Sequence, residues 1–417
     1  MRTDPMPSND PRFAGPRSLA SLTKYIAHEG IAHAGGQYVL HHYAALRDLI
    51  TISEIAPDTP RNRHAMTLRT DVDDIELVTG PGLFRGGRFK QLGDLESAWS
   101  GSAVTQDVRR TFASDAAPWP LLERAAGIEL HWSELMALAP AVRRRLPHAR
   151  LVGIAHDVIT QRWARAAETS SWPVSLAYRV AADRSRARER ESFAALDLVI
   201  AFSEKDAALV REISPHTRAE VVLPGLGPAP GEMLARTPDV SEPVVLFTGA
   251  LSRPDNHEAV TWFLTEVWPS VLARVPSARF VAAGAHPKPA LEKLVARSER
   301  ATLTGYVDSL EPYYASASVF VAPIFNGAGV KFKTIDALLR SVPVVATDVG
   351  AEGIANSASL LSVANSPGPF SDLVADALTN PDDARTTHAA AWANDTYGNA
   401  AFTRRLRDLY SDLGIIG

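Results

Sequence analysis

Along this chain short apolar runs alternate with longer stretches in which apolar residues recur every three or four positions. That rhythm belongs to parallel strands buried on both faces and joined by helices. In the first half the strand runs fall at residues 49–55, 75–79, 127–132, 149–157, 196–201 and 219–223, and in the second at 244–248, 279–283, 301–307, 319–323 and 344–347. Helical spacing fills 38–48, 133–146, 160–193, 289–297, 310–316 and 330–340, and one more helix carries Trp262, Phe263 and Trp268. Residues 22–26 lead into the first domain, and His33-Ala34-Gly35-Gly36-Gln37 reads as a turn opening a helix. Residues 80–93 form a Gly-rich loop, and 95–126 show no period. The turn-rich segment after the 219–223 run is a linker. The expected organisation is an arm at 1–20, a first domain at 21–225, a linker at 226–243, a second domain at 244–395 and a final helix at 396–417, with the class α/β.

Composition narrows the function classes. The 417 residues exceed one ordinary core, and 46% hydrophobic residues suffice for two. A formal net charge of -4 gives no global field for nucleic acid, so no nucleic-acid partner is expected. The absence of cysteine removes disulfides, thiolate nucleophiles and Cys-based zinc sites, which fits a reducing cytoplasm. Residues 1–17 lack the apolar segment of a signal peptide, and no run approaches bilayer length. The helical stretch 160–193 carries Arg162, Arg165, Arg179, Arg184, Arg186, Arg188 and Arg190 with Trp163 and Trp172. It fits either a face drawn to an anionic membrane or a salt-bridged, solvated helix, and the interleaved Asp183, Glu189 and Glu191 favour the second.

Candidate chemistry concentrates where the 319–323 strand breaks at Asn326-Gly327-Ala328-Gly329-Val330 before a helix that begins with Lys331 and Lys333. Peptide N–H groups in a first helical turn lack intrahelical partners and the dipole is positive there, so two lysines at that end suit a bound phosphate or diphosphate. Taken alone, these residues fit equally a solvated helix start. Other predicted strand ends, at Gly249, Gly284 and Gly305, also lack large side chains, and with Gly329 they outline one crevice. His156 and Asp157 lie at the end of the 149–157 strand, the ligand edge of a doubly wound sheet, where a lone His is also commonly structural.

The succession FTGALSRPDNHEAVTWF, FVAAGAHP, LTGYVDSLEPYYASASVFVAPI, GAGVKFKTIDALLRSVPVVAT and AWANDTYGNAAFTRRLRDLY resembles the C-terminal domain of the retaining GT-B glycosyltransferases of family GT4, over residues 244–410. HAGGQYVLHHYAAL and DLVIAFSEKD extend the resemblance loosely into the first half. It implies two Rossmann-like doubly wound domains facing across a cleft, with the last helix packed back on the first. The implied substrates are a nucleoside-diphosphate sugar and a hydroxyl acceptor, with no tightly bound cofactor and no metal. For the donor it implies Gly249, Gly284 and Asn326, with the segment Gly327, Ala328, Gly329 and Val330 at the diphosphate. Asp336 would serve the ribose, and Tyr306 and Val307 the base. On the acceptor side stand Gly35, Gly36, Trp132 and Asp157, with His156 orienting the sugar or acceptor. Lys331, Lys333 and Arg253 would stabilise the leaving diphosphate. Two departures stand out: Asn326 replaces the family's first glutamate, and the usual second cation near residues 250–256 is missing. A sugar-nucleotide 2-epimerase and a non-catalytic donor-binding subunit share this architecture.

Overall fold

The computed structural model describes residues 17–28, 31, 34–69, 74–78, 112, 118–169, 171–227, 233–326, 331–354 and 356–417. The chain divides into two compact units, Met1–Pro224 with Phe402–Gly417, and Gly225–Ala401.

In the first unit seven strands lie in the order β3-β2-β1-β4-β5-β6-β7: β1 Ser18–Leu22, β2 Thr51–Pro57, β3 Asp74–Val78, β4 Gly127–His131, β5 Leu151–Ala155, β6 Leu198–Ala201 and β7 Ala219–Val221. Every adjacent pair is parallel. The winding reverses between β1 and β4, the place where such a sheet opens a crevice at its carboxyl edge. The second unit repeats the plan with β8 Val244–Thr248, β9 Arg279–Ala283, β10 Ala301–Leu303, β11 Ala317–Ala322, β12 Val344–Ala346 and β13 Ser362–Val363, in the order β10-β9-β8-β11-β12-β13. Again all pairs are parallel, and the reversal falls between β8 and β11. Both units are thus doubly wound α/β, the fold class expected from the sequence.

Several elements differ from that expectation. Ser18–Leu22 is a central strand paired on both sides, so the arm cannot extend to residue 20; SLASL has no β-branched residue to announce it. Gly35 and Gly36 do not form a turn but lie inside the helix Ala34–Leu46. The stretch 133–146 is two helices, Trp132–Met136 and Ala139–Arg145, with Pro140 at the start of the second. The stretch 160–193 is also two, Ile159–Thr169 and Val174–Ala194, separated by a cis Trp172-Pro173 bond. Pro60–Leu68, capped by Thr59, is an unexpected helix.

Glu189 is no solvated side chain. It is buried and accepts the N–H groups of Ile159 (2.7 Å) and Thr160 (3.1 Å), which caps one helix of the pair from the other. Arg186 with Glu212 and Arg188 with Glu191 are the exposed ion pairs of a solvated face. No described helix is long and apolar enough to cross a membrane. The end of the chain completes the first unit's core, where Phe402, Leu406, Tyr410, Ile415 and Ile416 pack with Leu19, Val39, Leu46 and Ile154. Gly127 is glycine for that reason, since a Cβ there would stand 2.8 Å from Ile415 Cδ1.

Candidate functional site

In the second unit the site grows from the carboxyl ends of β8 and β9. A Cβ on Gly284 would lie 1.8 Å from the carbonyl oxygen of Gly249, so the two strand ends approach as only glycine allows. Gly249 N–H donates to Ala283 O (3.0 Å) and Leu251 N–H to Ala285 O (2.9 Å), which fixes the turn after β8. Replacing Gly284 by alanine sets a new atom against rigid backbone and is expected to cost about 3 kcal/mol. Chemical denaturation checks this, with Gly368→Ala as a control at a position with open space around it.

Into this turn reaches Lys333, from the first turn of the helix Phe332–Leu339, whose Thr334, Ile335, Ala337, Leu338 and Leu339 face the core. Its ammonium donates to Asn256 Oδ1 and lies 4.5 Å from the centre of the Phe247 ring. Asn256, itself buried, donates in turn to Ala250 O at 2.9 Å. At Gly249, whose φ is 148°, a Cβ would come within 2.8 Å of Asn256 Nδ2 and 2.9 Å of Lys333 Nζ. Burial pulls the Lys333 ammonium down to about 8; the Asp255 carboxylate opposes this, and Arg253 and Lys331 add to it. The result is a cation aimed at the sheet's point of reversal, with no carboxylate among the described residues bonded to it.

The other expected residues are placed differently. Lys331 is the cap of the same helix and pairs with Glu352 at 3.2 Å. Arg253 caps Pro254–Trp262 and is exposed, with its guanidinium turned onto Asp255 at 3.2 and 3.4 Å. Asp336 accepts from Arg340 at 2.9 Å, and Arg340 also holds Glu311; burial raises the Asp336 carboxyl and Arg340 opposes it. Tyr306 is 76% exposed just past β10, beside the half-buried Val307. Asn326 Nδ2 donates to Glu258 Oε2 at 2.8 Å, so a carboxylate from another element stands beside the position where the resemblance expects a glutamate. Gly327, Ala328, Gly329 and Val330 lie outside the described residues.

In the first unit, Gly35, Trp132 and His156 meet. Trp132 follows β4 with φ 66° and stacks on the His156 ring at 4.4 Å and 11°. A Cβ on Gly35 would be 3.2 Å from Trp132 Cζ2 and 3.5 Å from His156 Nδ1, so a glycine inside a helix makes room for the stacked pair. Tyr38 and Phe202 close on the imidazole edgewise at 5.3 and 5.0 Å. Gly36 is buried on the same helix, and Asp157 offers its carbonyl to Ser133 Oγ.

One cluster was not foreseen. Glu129 on β4 is fully buried and accepts from Tyr410 Oη; His42 Nε2 is 2.6 Å from its Oε1 and His131 Nε2 is 3.3 Å from its Oε2. Burial alone would raise Glu129, but the charges and hydrogen bonds of His42 and His131 outweigh it and hold the carboxyl well below the usual carboxylate range. His42, Glu129 and His131 are a possible ligand set for a metal by residue type. Ligand atoms about 2.0 Å from a tetrahedral ion stand roughly 3.3 Å apart, so the 2.6 Å contact describes a closed hydrogen-bonded group. The available signal was GIELHW, where Glu129 and His131 share one face of a strand whose other residues are apolar.

Residues 242–380, about a third of the chain, match the model of the family described as glycosyl transferases group 1. An uncharacterised 44.6 kDa protein of the Klebsiella pneumoniae cps region is 31% identical over 129 residues, which are 29% of this chain and 33% of that protein. The match thus spans about a third of the relative's length. Among solved structures, sucrose-phosphate synthase of Thermosynechococcus elongatus is similar at 16% identity, with a TM-score of 0.57, over 95% of this chain and 99% of that one. Anabaena Alr3699/HepE in complex with UDP is similar at 14% identity, with a TM-score of 0.54, over 95% and 100%. These likenesses show the fold, that of the GT-B glycosyltransferases.

Proposed function

We propose that this chain is a group 1 glycosyltransferase of the GT4 type, moving a sugar from a nucleoside-diphosphate donor to a hydroxyl with retention of anomeric configuration. The observation that carries the reading is the Lys333 ammonium, held by a neutral acceptor at Gly249 where the second sheet reverses. When the glycosidic bond to phosphate breaks, negative charge grows on the departing diphosphate. A cation already fixed beside it stabilises the transition state more than the ground state. Arg253, two residues from its partner Asp255, can swing from that exposed ion pair onto the same diphosphate at little cost. Tyr306, exposed past β10, offers a ring face to the base. In the first unit the half-buried His156, its ring held against Trp132, is the polar group that would orient the sugar or acceptor. That Alr3699/HepE holds UDP supports a nucleotide donor here.

Lys333, with Arg253 recruited beside it, would do the work a divalent ion otherwise does, so transfer is expected to survive EDTA. The test is a panel of uridine, guanosine and adenosine diphosphate sugars with the purified full chain. Release of nucleoside diphosphate only with an acceptor, and a product of unchanged anomeric configuration by NMR, support the reading. Nucleotide binding without turnover on any donor favours a non-catalytic subunit, and free epimer without acceptor favours a 2-epimerase.

Glu258 takes the part of the carboxylate missing at Asn326. Glu258→Ala is therefore expected to lower kcat/KM for donor by about tenfold, roughly 1.4 kcal/mol, with folding unchanged because both partners are exposed. Steady-state kinetics at a fixed acceptor concentration reads this out.

A further inference from the structure

We propose that Asn256 is a positioning residue of the donor site: its neutral side-chain oxygen aims the Lys333 ammonium at the departing diphosphate without cancelling its charge. The proposal rests on the transferase reading and names the residue on which that reading's cation depends.

The two lysines of this helix start make the contrast. Lys331 is bonded to a carboxylate, Glu352, at 3.2 Å, and spends its charge inside the protein. Lys333 is bonded to an amide oxygen. Asn256 is buried and has no freedom to look elsewhere, because its Nδ2 is committed to Ala250 O at 2.9 Å. That commitment also settles which end of the amide faces the lysine, since the nitrogen already donates. The Phe247 ring 4.5 Å away supports the ammonium from another side, again without a formal charge. A Cβ at position 249 would stand 2.9 Å from Lys333 Nζ, so the glycine there makes the room that the ammonium occupies.

The charged groups that act on Lys333 are Asp255 and Arg253 from the turn and helix after β8, and Lys331 from its own helix. Asp255 is already occupied by Arg253, so it attenuates the ammonium's field without quenching it. An aspartate at 256 would turn the support into an ion pair and would also lose the donor to Ala250 O. Asn256→Ala loses the same donor without adding charge, so the two variants together separate geometry from charge.

The test compares wild type with Asn256→Asp and Asn256→Ala, as full chains. The chain has seven lysines, so the Cε signal of Lys333 in 13C-lysine-labelled protein can be assigned by comparison with Lys333→Met. Inorganic pyrophosphate is the binding probe, by calorimetry at pH 7.5 and 9.5. In wild type the affinity should fall at least tenfold between these pH values as Lys333 loses its proton. Asn256→Asp should move the Lys333 titration upward, weaken pyrophosphate about tenfold or more at pH 7.5 and flatten the pH dependence. Asn256→Ala should also weaken binding but leave Lys333 titrating at or below its wild-type position, which a merely structural role for the amide would not produce.

A variant Asn256→Asp with native circular dichroism, unchanged Lys333 titration and unchanged pyrophosphate affinity overturns the assignment alone. Should Asn256→Asp not fold, Asn256→Ala carries the test, and wild-type pyrophosphate affinity in it overturns the assignment. Absence of pyrophosphate and nucleotide binding in wild type, whatever the lysine signal does, overturns the transferase reading and this proposal with it.

Discussion

Replacing Lys333 by methionine is expected to lower kcat for sugar transfer by about 10²–10³-fold, the usual loss when one preorganised charge-stabilising donor is removed. Methionine keeps an unbranched apolar stem and deletes the ammonium together with its contact to the Phe247 ring, so packing and chemistry largely separate. The sign of the stability change supports that separation. Burial lowers the folded-state value to about 8, below the ordinary 10.5, so the unfolded chain binds the proton more tightly. The charged lysine therefore opposes folding at every pH below about 8, and this opposition is relieved as pH rises toward 10.5. The thermal midpoint of the methionine variant at pH 7 should be unchanged or higher while turnover collapses. Calorimetry beside a transfer assay decides it, and a variant that is active but unstable would refute the role.

The same lysine sets a pH profile. In wild type kcat/KM for donor should fall about tenfold per pH unit above about 8, because it reports the free enzyme. A bound diphosphate favours the charged form, so kcat should hold to higher pH than kcat/KM. Lys333→Met should show neither alkaline limb.

What the sequence disclosed follows from where the information sits. Strands buried on both faces wrote themselves as apolar runs, so β5, β6, β8 and β11 were legible. SLASL was not, because Ser21 lies between Glu54 on β2 and Glu129 on β4 in a polar row across the middle of the sheet. Gly35 and Gly36 looked like a turn by local preference; the space needed by Trp132 and His156 explains a glycine at 35 in a helix, and that need is tertiary. Lys333 announced itself by its place at a helix start. Its partner Asn256 lies 77 positions away, and Glu258 lies 68 positions from Asn326. Such pairings are made by sheet order, which brings β8 and β11 side by side, and no local period records them.

Glu129→Ala should be the most damaging change outside the donor site. Its carboxylate holds His42, His131 and, from the final helix, Tyr410, all buried. Removing one member of a buried charged group leaves the others unpaired and costs about 3–5 kcal/mol. The loss should be visible in hydrogen exchange at both ends of the network: the amides of β4 and those of Asn399–Asp412 should open together, because Tyr410 ties that helix to the strand.

The pH dependence gives a second, independent reading. Glu129 is held below the usual carboxylate range, so its contribution is complete above the unfolded value near 4.5 and is lost as the solution is acidified below it. Glu54, in the same row, behaves oppositely. Burial raises it from 4.5 to about 7 against the pull of Arg69 and Thr23, so its ionisation opposes folding increasingly from pH 4.5 to 7, by roughly 3 kcal/mol at most. Wild-type protection of β4 should therefore decline on both sides of about pH 5. Glu129→Ala should keep the decline above pH 5 and deepen the acid one, because burial already holds His131 below its ordinary 6.5 and no carboxylate is left to oppose it; an acid limb no deeper than that of wild type would show that Glu129 does not hold the network.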